Sequence, residues 1–190
     1  MKTLLSLLVG FFFVSQISAQ DMGDNSQDAW MSFMQPGEMH QLLAKQVGEW
    51  NVELKMWMDP SAPPEVSSGT VECEMILGGR YLKTTEKGTA MGMPMEGMGI
   101  DGYDNVKKKF VSIWIDNFGT GIATMEGDYD PEKKTLTSTG TMTDPASGAD
   151  SEFKMVVTYV DDDTTLSEMF TIMGDQEVKM MEMKSTRIKM

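Results

Sequence analysis

The sequence predicts an all-β domain of ten short antiparallel strands preceded by one short helix. Three observations carry that prediction. From Trp50 onward, apolar and polar residues alternate with a period of two, the repeat of a strand with one buried face. Turn residues punctuate the chain at short, even intervals. No helical period interrupts the strands, which leaves a sandwich or an up-and-down barrel as the architecture.

Residues 1–19 read as a secretory signal peptide. Lys2 gives a positive start, 4–14 an apolar run too short to span a bilayer, and Ala19 a small residue at a cleavage position. The protein is therefore expected to be exported, periplasmic or secreted, with no integral membrane segment after cleavage. No cysteine follows Ala19 that could carry a lipid anchor. Residues 20–35 are polar and Met-rich without a clear period and read as a flexible leader. The domain is expected over 36–190. It opens at Pro36 with Met39, Leu42, Leu43 and Val47 at helical spacing, and Gly48 ends that helix.

Strands are expected near 50–58, 70–77, 80–88, 94–103, 110–116, 121–129, 135–143, 151–160, 164–172 and 177–188. Trp50, Val52, Leu54, Met56 and Met58 share one face of the first. The loop over 59–67 holds three prolines, and Gly78-Gly79 marks a turn. Two segments share a Tyr-Asp-x-x-Lys-Lys frame, at Tyr103 to Lys108 and Tyr129 to Lys134. Asp at the first corner suits a type I turn, so both are read as hairpin turns.

Composition excludes several function classes. The chain has 16 basic against 29 acidic residues, a net charge of −13, which opposes binding to nucleic acid or an anionic membrane surface. Cys73 is the one cysteine, so no intramolecular disulfide forms. Its alternating segment makes it a small buried hydrophobe. Serine, cysteine and zinc hydrolase sites lean on histidine. The chain has only His40, on the expected helix, where a structural or surface role fits best. No P-loop or dinucleotide fingerprint occurs in a βαβ setting.

Methionine is abundant, 21 in 190 residues. Thioethers make adaptable apolar walls and are soft ligands for Cu(I). Met91, Met93, Met95 and Met98 lie within eight residues. One reading is a hairpin lining an apolar cavity; the alternative is a Cu(I) site built from these four. Trp114 and Asp116 share a strand face with Phe110 and Ser112, while Val111, Ile113 and Ile115 take the other. Spacing leaves open which face is interior. If the first is, Trp114 is a stacking wall and Asp116 a polar anchor. Met181, Met183, Ser185 and Arg187 share a face of the last strand. Arg80, at a strand start after two glycines, is a candidate anchor for an anionic group or a partner in an ion pair.

Gly48-x-Trp50 after a short helix, together with Arg187 in the last strand, resembles the calycin superfamily of lipocalins and fatty-acid-binding proteins. That resemblance selects the barrel. It implies that Trp50 and Arg187 stack at the barrel floor as a cation–π pair. Longer wording is more specific: Pro36-Gly37-Glu38-Met39-His40, Gly48-Glu49-Trp50, Gly78-Gly79-Arg80-Tyr81-Leu82, Gly92-Met93-Pro94-Met95-Glu96-Gly97, Gly102-Tyr103-Asp104-Asn105, Trp114-Ile115-Asp116 and Met181-Glu182. In that order they resemble a bacterial domain-of-unknown-function family, number fifteen-seventy-nine, over 36–188. The resemblance implies a lipocalin-like barrel and no catalytic residues. Nitrobindin-like proteins, a neighbouring ten-strand branch, hold haem through a barrel histidine. His40 precedes the first strand, so haem held in that way is not expected.

The expected function is an exported protein holding a small, largely apolar or amphipathic molecule in a Met- and Trp-lined barrel, with no cofactor. Its candidate ligand residues are Arg80, Met93, Met95, Trp114, Asp116, Met181 and Met183. Cu(I) binding, a hydrolase or isomerase built from interior carboxylates, and a purely structural envelope protein are the alternatives.

Overall fold

The computed structural model describes residues 20–189, with side chains from residue 26 onward. The segment read as a signal peptide lies outside the described residues. The chain divides at Met34 into two units. The first contains helix α1, Gln20–Met34. The sequence shows no clear period there, yet Gln20–Met34 is helical; Gln, Met and Ala favour a helix even without an apolar stripe.

The second unit is the domain. Helix α2 spans Glu38–Ala44. Ten strands follow: β1 Gly48–Met56, β2 Glu65–Ile76, β3 Tyr81–Ala90, β4 Met93–Asp104, β5 Lys109–Asp116, β6 Ala123–Asp130, β7 Thr135–Thr143, β8 Asp150–Asp161, β9 Thr164–Met173 and β10 Gln176–Arg187. Each pairs antiparallel with its neighbours in sequence, and β1 pairs with β10 to close the barrel. The barrel predicted from the sequence is the one observed. Closure leaves no strand edge among the ten, which removes the usual template for edge-to-edge aggregation.

The tight turns follow from their residues. Asp104 Oδ1 accepts hydrogen bonds from the Val106 and Lys107 amides at 2.8 and 2.9 Å, and Asp130 Oδ1 from those of Glu132 and Lys133 at 2.9 and 3.1 Å. Lys108 and Lys134 then take positive φ values of 57° and 53°. The shared Tyr-Asp-x-x-Lys-Lys wording is thus a shared Asx-anchored hairpin turn.

Helix α2 packs against β2, β3 and β4 at the end of the barrel where β1 starts and β10 finishes. The Trp50 ring lies 4.1 Å beneath the Arg187 guanidinium. Arg187 also donates to the Val47 and Lys45 carbonyls at 2.6 and 2.7 Å, and Trp50 Nε1 donates to the Gln46 carbonyl at 2.9 Å. One planar cation therefore ties the helix exit, the first strand and the last strand together. His40 is buried in α2. Its Nδ1 accepts the Gly37 amide at 3.0 Å, and its ring meets Tyr103 edge-on. Burial first, then the Arg80 charge, holds its pKa below the ordinary value. His40 is a capping residue at the closed end.

The core starts at this end and runs up the barrel, with Val52, Leu54, Ala90 and Met95 carrying the same buried cluster towards the far rim. Leu43, Trp50, Val71, Cys73, Leu82, Phe110 and Leu136 are buried together. Cys73 behaves as the sequence suggested: it is buried, its sulfur lies 3.6 Å from Thr84 Oγ1, and burial pushes its thiol up.

Candidate functional site

The interior face of each strand follows from the alternation and the register. On β5, Phe110 is buried, Ser112 Oγ donates to Asp101 Oδ1 at 2.5 Å, and Ile113 and Ile115 are exposed. The face carrying Trp114 and Asp116 therefore points inward, which settles the register that spacing left open. On β3 the inward set is Leu82, Thr84, Glu86 and Ala90; on β4 it is Met95, Gly97, Gly99, Asp101 and Tyr103. On β10 it is Met181, Met183 and Ser185, paired with Met169, Ser167 and Thr165 of β9. A bulge between Lys179 and Met181 adjusts the face of β10 above that point.

One row of the sheet concentrates acidity. Glu86 pairs with Gly97, and Gly97 with Asp116. With no side chain between them, the two carboxyl groups flank a gap over β4. Trp114 fills the floor of that gap. A Cβ on Gly97 would sit 2.2 Å from Trp114 Cζ2, and one on Gly99 3.3 Å from Cε3, so the indole lies directly on the β4 backbone. Its Nε1 donates to Asp116 Oδ2 at 2.9 Å, and Asp116 Oδ1 accepts the Phe118 amide at 2.9 Å. Below this row, Asp101 holds Ser112. Tyr159 and Tyr129 contact each other edge-on at 6.0 Å.

Glu86 is 6% exposed. Burial first, and the Asp116 charge second, push its carboxyl up to about 7. Burial also pushes up Asp101, against the hydrogen bond from Ser112. Tyr159 is raised by burial, then by Asp101 and Tyr129. Four further buried polar groups line the interior: Ser138 on β7, Thr165 and Ser167 on β9 and Ser185 on β10. Glu86 takes no hydrogen bond from a described protein group, yet among the described residues no unpartnered side-chain nitrogen or oxygen is sealed from accessible space. The inward-facing Glu86 carboxyl therefore keeps some accessible surface. Asp101, Tyr129, Val157, Tyr159 and Met183 also face inward and keep partial exposure. A ten-strand ring is wide enough to enclose a small ligand.

The residues predicted from sequence divide by position. Trp114, Asp116, Met95, Met181 and Met183 face the interior. Met93 lies at the rim and is 49% exposed. Arg80 does not belong with them. It sits in the β2–β3 turn at the closed end, where its Nη1 donates to the Leu77 carbonyl at 3.2 Å, whereas Asp116 ends β5 at the opposite rim. The four thioethers proposed for Cu(I) do not converge. Met91 is in the β3–β4 turn and Met98 on the outer face, while Met95 is buried inside; the sheet itself separates Met95 from Met98. Among the described residues, no group of three or more His, Cys, Asp or Glu side chains could hold a metal ion.

Sequence reasoning missed Glu86, Asp101 and the two glycines that seat Trp114. A groove of about 440 Å³ also runs along the outer face between β3 and β7, lined by Tyr81, Ile100, Val111, Ile113, Thr124 and Thr141 among others. It gathers side chains that alternate with the inward set.

Fold and interior together define a closed ten-strand β-barrel whose inward face is acidic on β3 to β5 and rich in thioethers on β8 to β10. The chain belongs to the family described as protein of unknown function (DUF1579), whose model matches residues 35–187. The crystal structure of Rv2717c from M. tuberculosis shares the fold at 13% identity and a TM-score of 0.58, over 82% of this chain and all of that one. The structure of S-type phycobiliprotein lyase CPES from Guillardia theta does so at 9% identity and a TM-score of 0.55, over 81% of this chain and 94% of that one. At these identities the likeness is one of fold. No curated protein matches the chain in sequence.

Proposed function

We propose that this protein is an exported carrier or receptor that holds one small, largely apolar molecule inside its barrel. The observation that carries the reading is the inward face itself: polar groups buried on β3, β7, β9 and β10, among them Glu86, which takes no hydrogen bond from a described protein group. Buried polar groups are ordinarily satisfied, so a ligand or ordered water completes Glu86. Trp114 on one wall and Met155, Met169, Met181 and Met183 on the facing wall supply apolar surface that adapts to shape, which suits broad selectivity. A fold neighbour that is a phycobiliprotein lyase is compatible with small-molecule handling in such a barrel.

The test is a native mass spectrum of the protein purified gently from its own host. A discrete organic mass excess, lost on denaturation, supports the reading. A bare chain mass, combined with failure of apolar fluorescent probes to bind the purified protein, would refute it.

One observation favours a second reading. Glu86 and Asp116 flank a common gap, with the Glu86 carboxyl pushed up to about 7, the range of a working general acid. In a hydrolase or isomerase of this kind, Glu86→Gln abolishes turnover.

A further inference from the structure

Resting on the cavity-binding reading, we propose that the ligand carries a protonated nitrogen, an amine or amidine on an apolar body, and that Glu86 receives it with Asp116 beside it. Three observations point to that chemistry. First, the charge inside the chamber has one sign. Glu86, Asp101 and Asp116 face inward from three adjacent strands, whereas the described lysines are outward, in turns or at chain ends, and the one inward cation, Arg187, is spent on Trp50 and the floor carbonyls. Second, the acids differ in how they are occupied. Asp101 is held by Ser112, and Asp116 by Trp114 and the Phe118 amide. Glu86 alone of the three has no protein donor, although it is 94% enclosed by relative surface. A buried carboxylate without donors is a strong acceptor awaiting one.

Third, the surroundings select an organic cation over a metal ion. The carboxyl groups do not form a metal-binding cluster. An indole face lies on the strand between them, and an aromatic face beside carboxylates is a setting that favours an alkylated ammonium or amidinium group. The wall across the ring is built from thioethers and hydroxyls of β8, β9 and β10, diametrically opposite β3, β4 and β5. A molecule with its nitrogen at Glu86 thus lays its apolar body against methionine.

The experiment is calorimetric titration of the full protein at pH 8 with three probes of one chain length, each below its micellar concentration: decylamine, decanol and decanoate. The amine is protonated there, as a lysine side chain is. The expected result is that decylamine binds at least about tenfold more tightly than decanol, the value of one charge-assisted hydrogen bond, and that decanoate binds most weakly. In Glu86→Gln the amine falls to the affinity of decanol, and decanol itself is unchanged. Equal binding of amine and decanol, tighter binding of decanoate, or an amine affinity that survives both Glu86→Gln and Asp116→Asn overturns the inference and leaves the apolar cavity standing. Binding of none of the three overturns the cavity along with it.

Discussion

Replacing Glu86 by glutamine makes this protein more stable, and only above a defined pH. A free glutamate carboxyl has an ordinary value of 4.5, and the folded barrel pushes Glu86 up to about 7. The folded state therefore holds this proton more tightly than the unfolded chain does. As pH rises from 4.5 the unfolded chain releases its proton first, and stability falls across the window up to about 7 before levelling off. The interval of about 2.5 pH units corresponds to about 3 kcal/mol at 1.36 kcal/mol per unit. Glutamine imitates the protonated side chain and carries no charge to desolvate. At pH 8, Glu86→Gln is expected to gain about that amount, a rise in Tm of roughly 6–12 °C for a domain of this size; at pH 4 the two proteins should melt together. Thermal unfolding followed by far-ultraviolet circular dichroism, at matched ionic strength from pH 4 to 8, measures the difference directly and cancels the other carboxylates. A difference that does not change with pH, or a variant less stable at pH 8, would refute the burial argument for Glu86.

Other positions give equally direct tests. Arg187→Ala should cost about 2–4 kcal/mol in urea unfolding, from the lost cation–π contact and the stranded carbonyls of Lys45, Val47 and Asp162, and Arg187→Lys should recover less than half, because an ammonium cannot reproduce the fork. Gly97→Ala places a methyl group into the Trp114 ring and should destabilise the barrel by about 1–3 kcal/mol; the indole N–H resonance shifts as its bond to Asp116 breaks, and Trp114→Ala relieves much of the cost. Cys73 should react with a soluble disulfide reagent orders of magnitude more slowly in the native protein than in denaturant, since burial keeps it as the thiol. Met98→Leu should leave Cu(I) affinity unchanged in a chelator competition, since Met98 lies across the sheet from Met95; a measurable loss would bring the four-thioether site back.

The strands that could be read from sequence are those whose two faces differ in polarity. β1 sets Trp50, Val52 and Leu54 against Asn51, Glu53 and Lys55, and its register is unambiguous. Barrel closure was legible only through the family resemblance that Gly48-x-Trp50 and Arg187 carry. β3 defeats the same logic. Lys83, Thr84, Thr85, Glu86 and Lys87 show no contrast between faces, so the one acid that turns inward looks like its solvated neighbours. Asp101 is hidden in the same way among glycines. Gly97 and Gly99 have a signal, two glycines spaced by two within a strand, but it reads as a bulge until the tryptophan lying on them is seen. Arg80 misled because a loop between strands can open at either end of a barrel, and only the placement of α2 says which end is closed. On β5, Phe110 and Trp114 on one face balance Val111, Ile113 and Ile115 on the other, so hydrophobicity alone could not choose between them.

The seam between β1 and β10, seven residue pairs from Trp50–Arg187 to Met56–Met181, sets the order in which this protein can acquire its structure. The strand made first finds its second partner only when the strand made last has emerged. Until then the growing chain has two raw edges, an unsealed base and no chamber, and its meander of hairpins has little to hold it. Barrel closure is thus tied to the emergence of β10, the most distant pairing in the sheet. A chain that stops short of β10 is left with β1 and β9 as open edges, the raw material of edge-to-edge pairing.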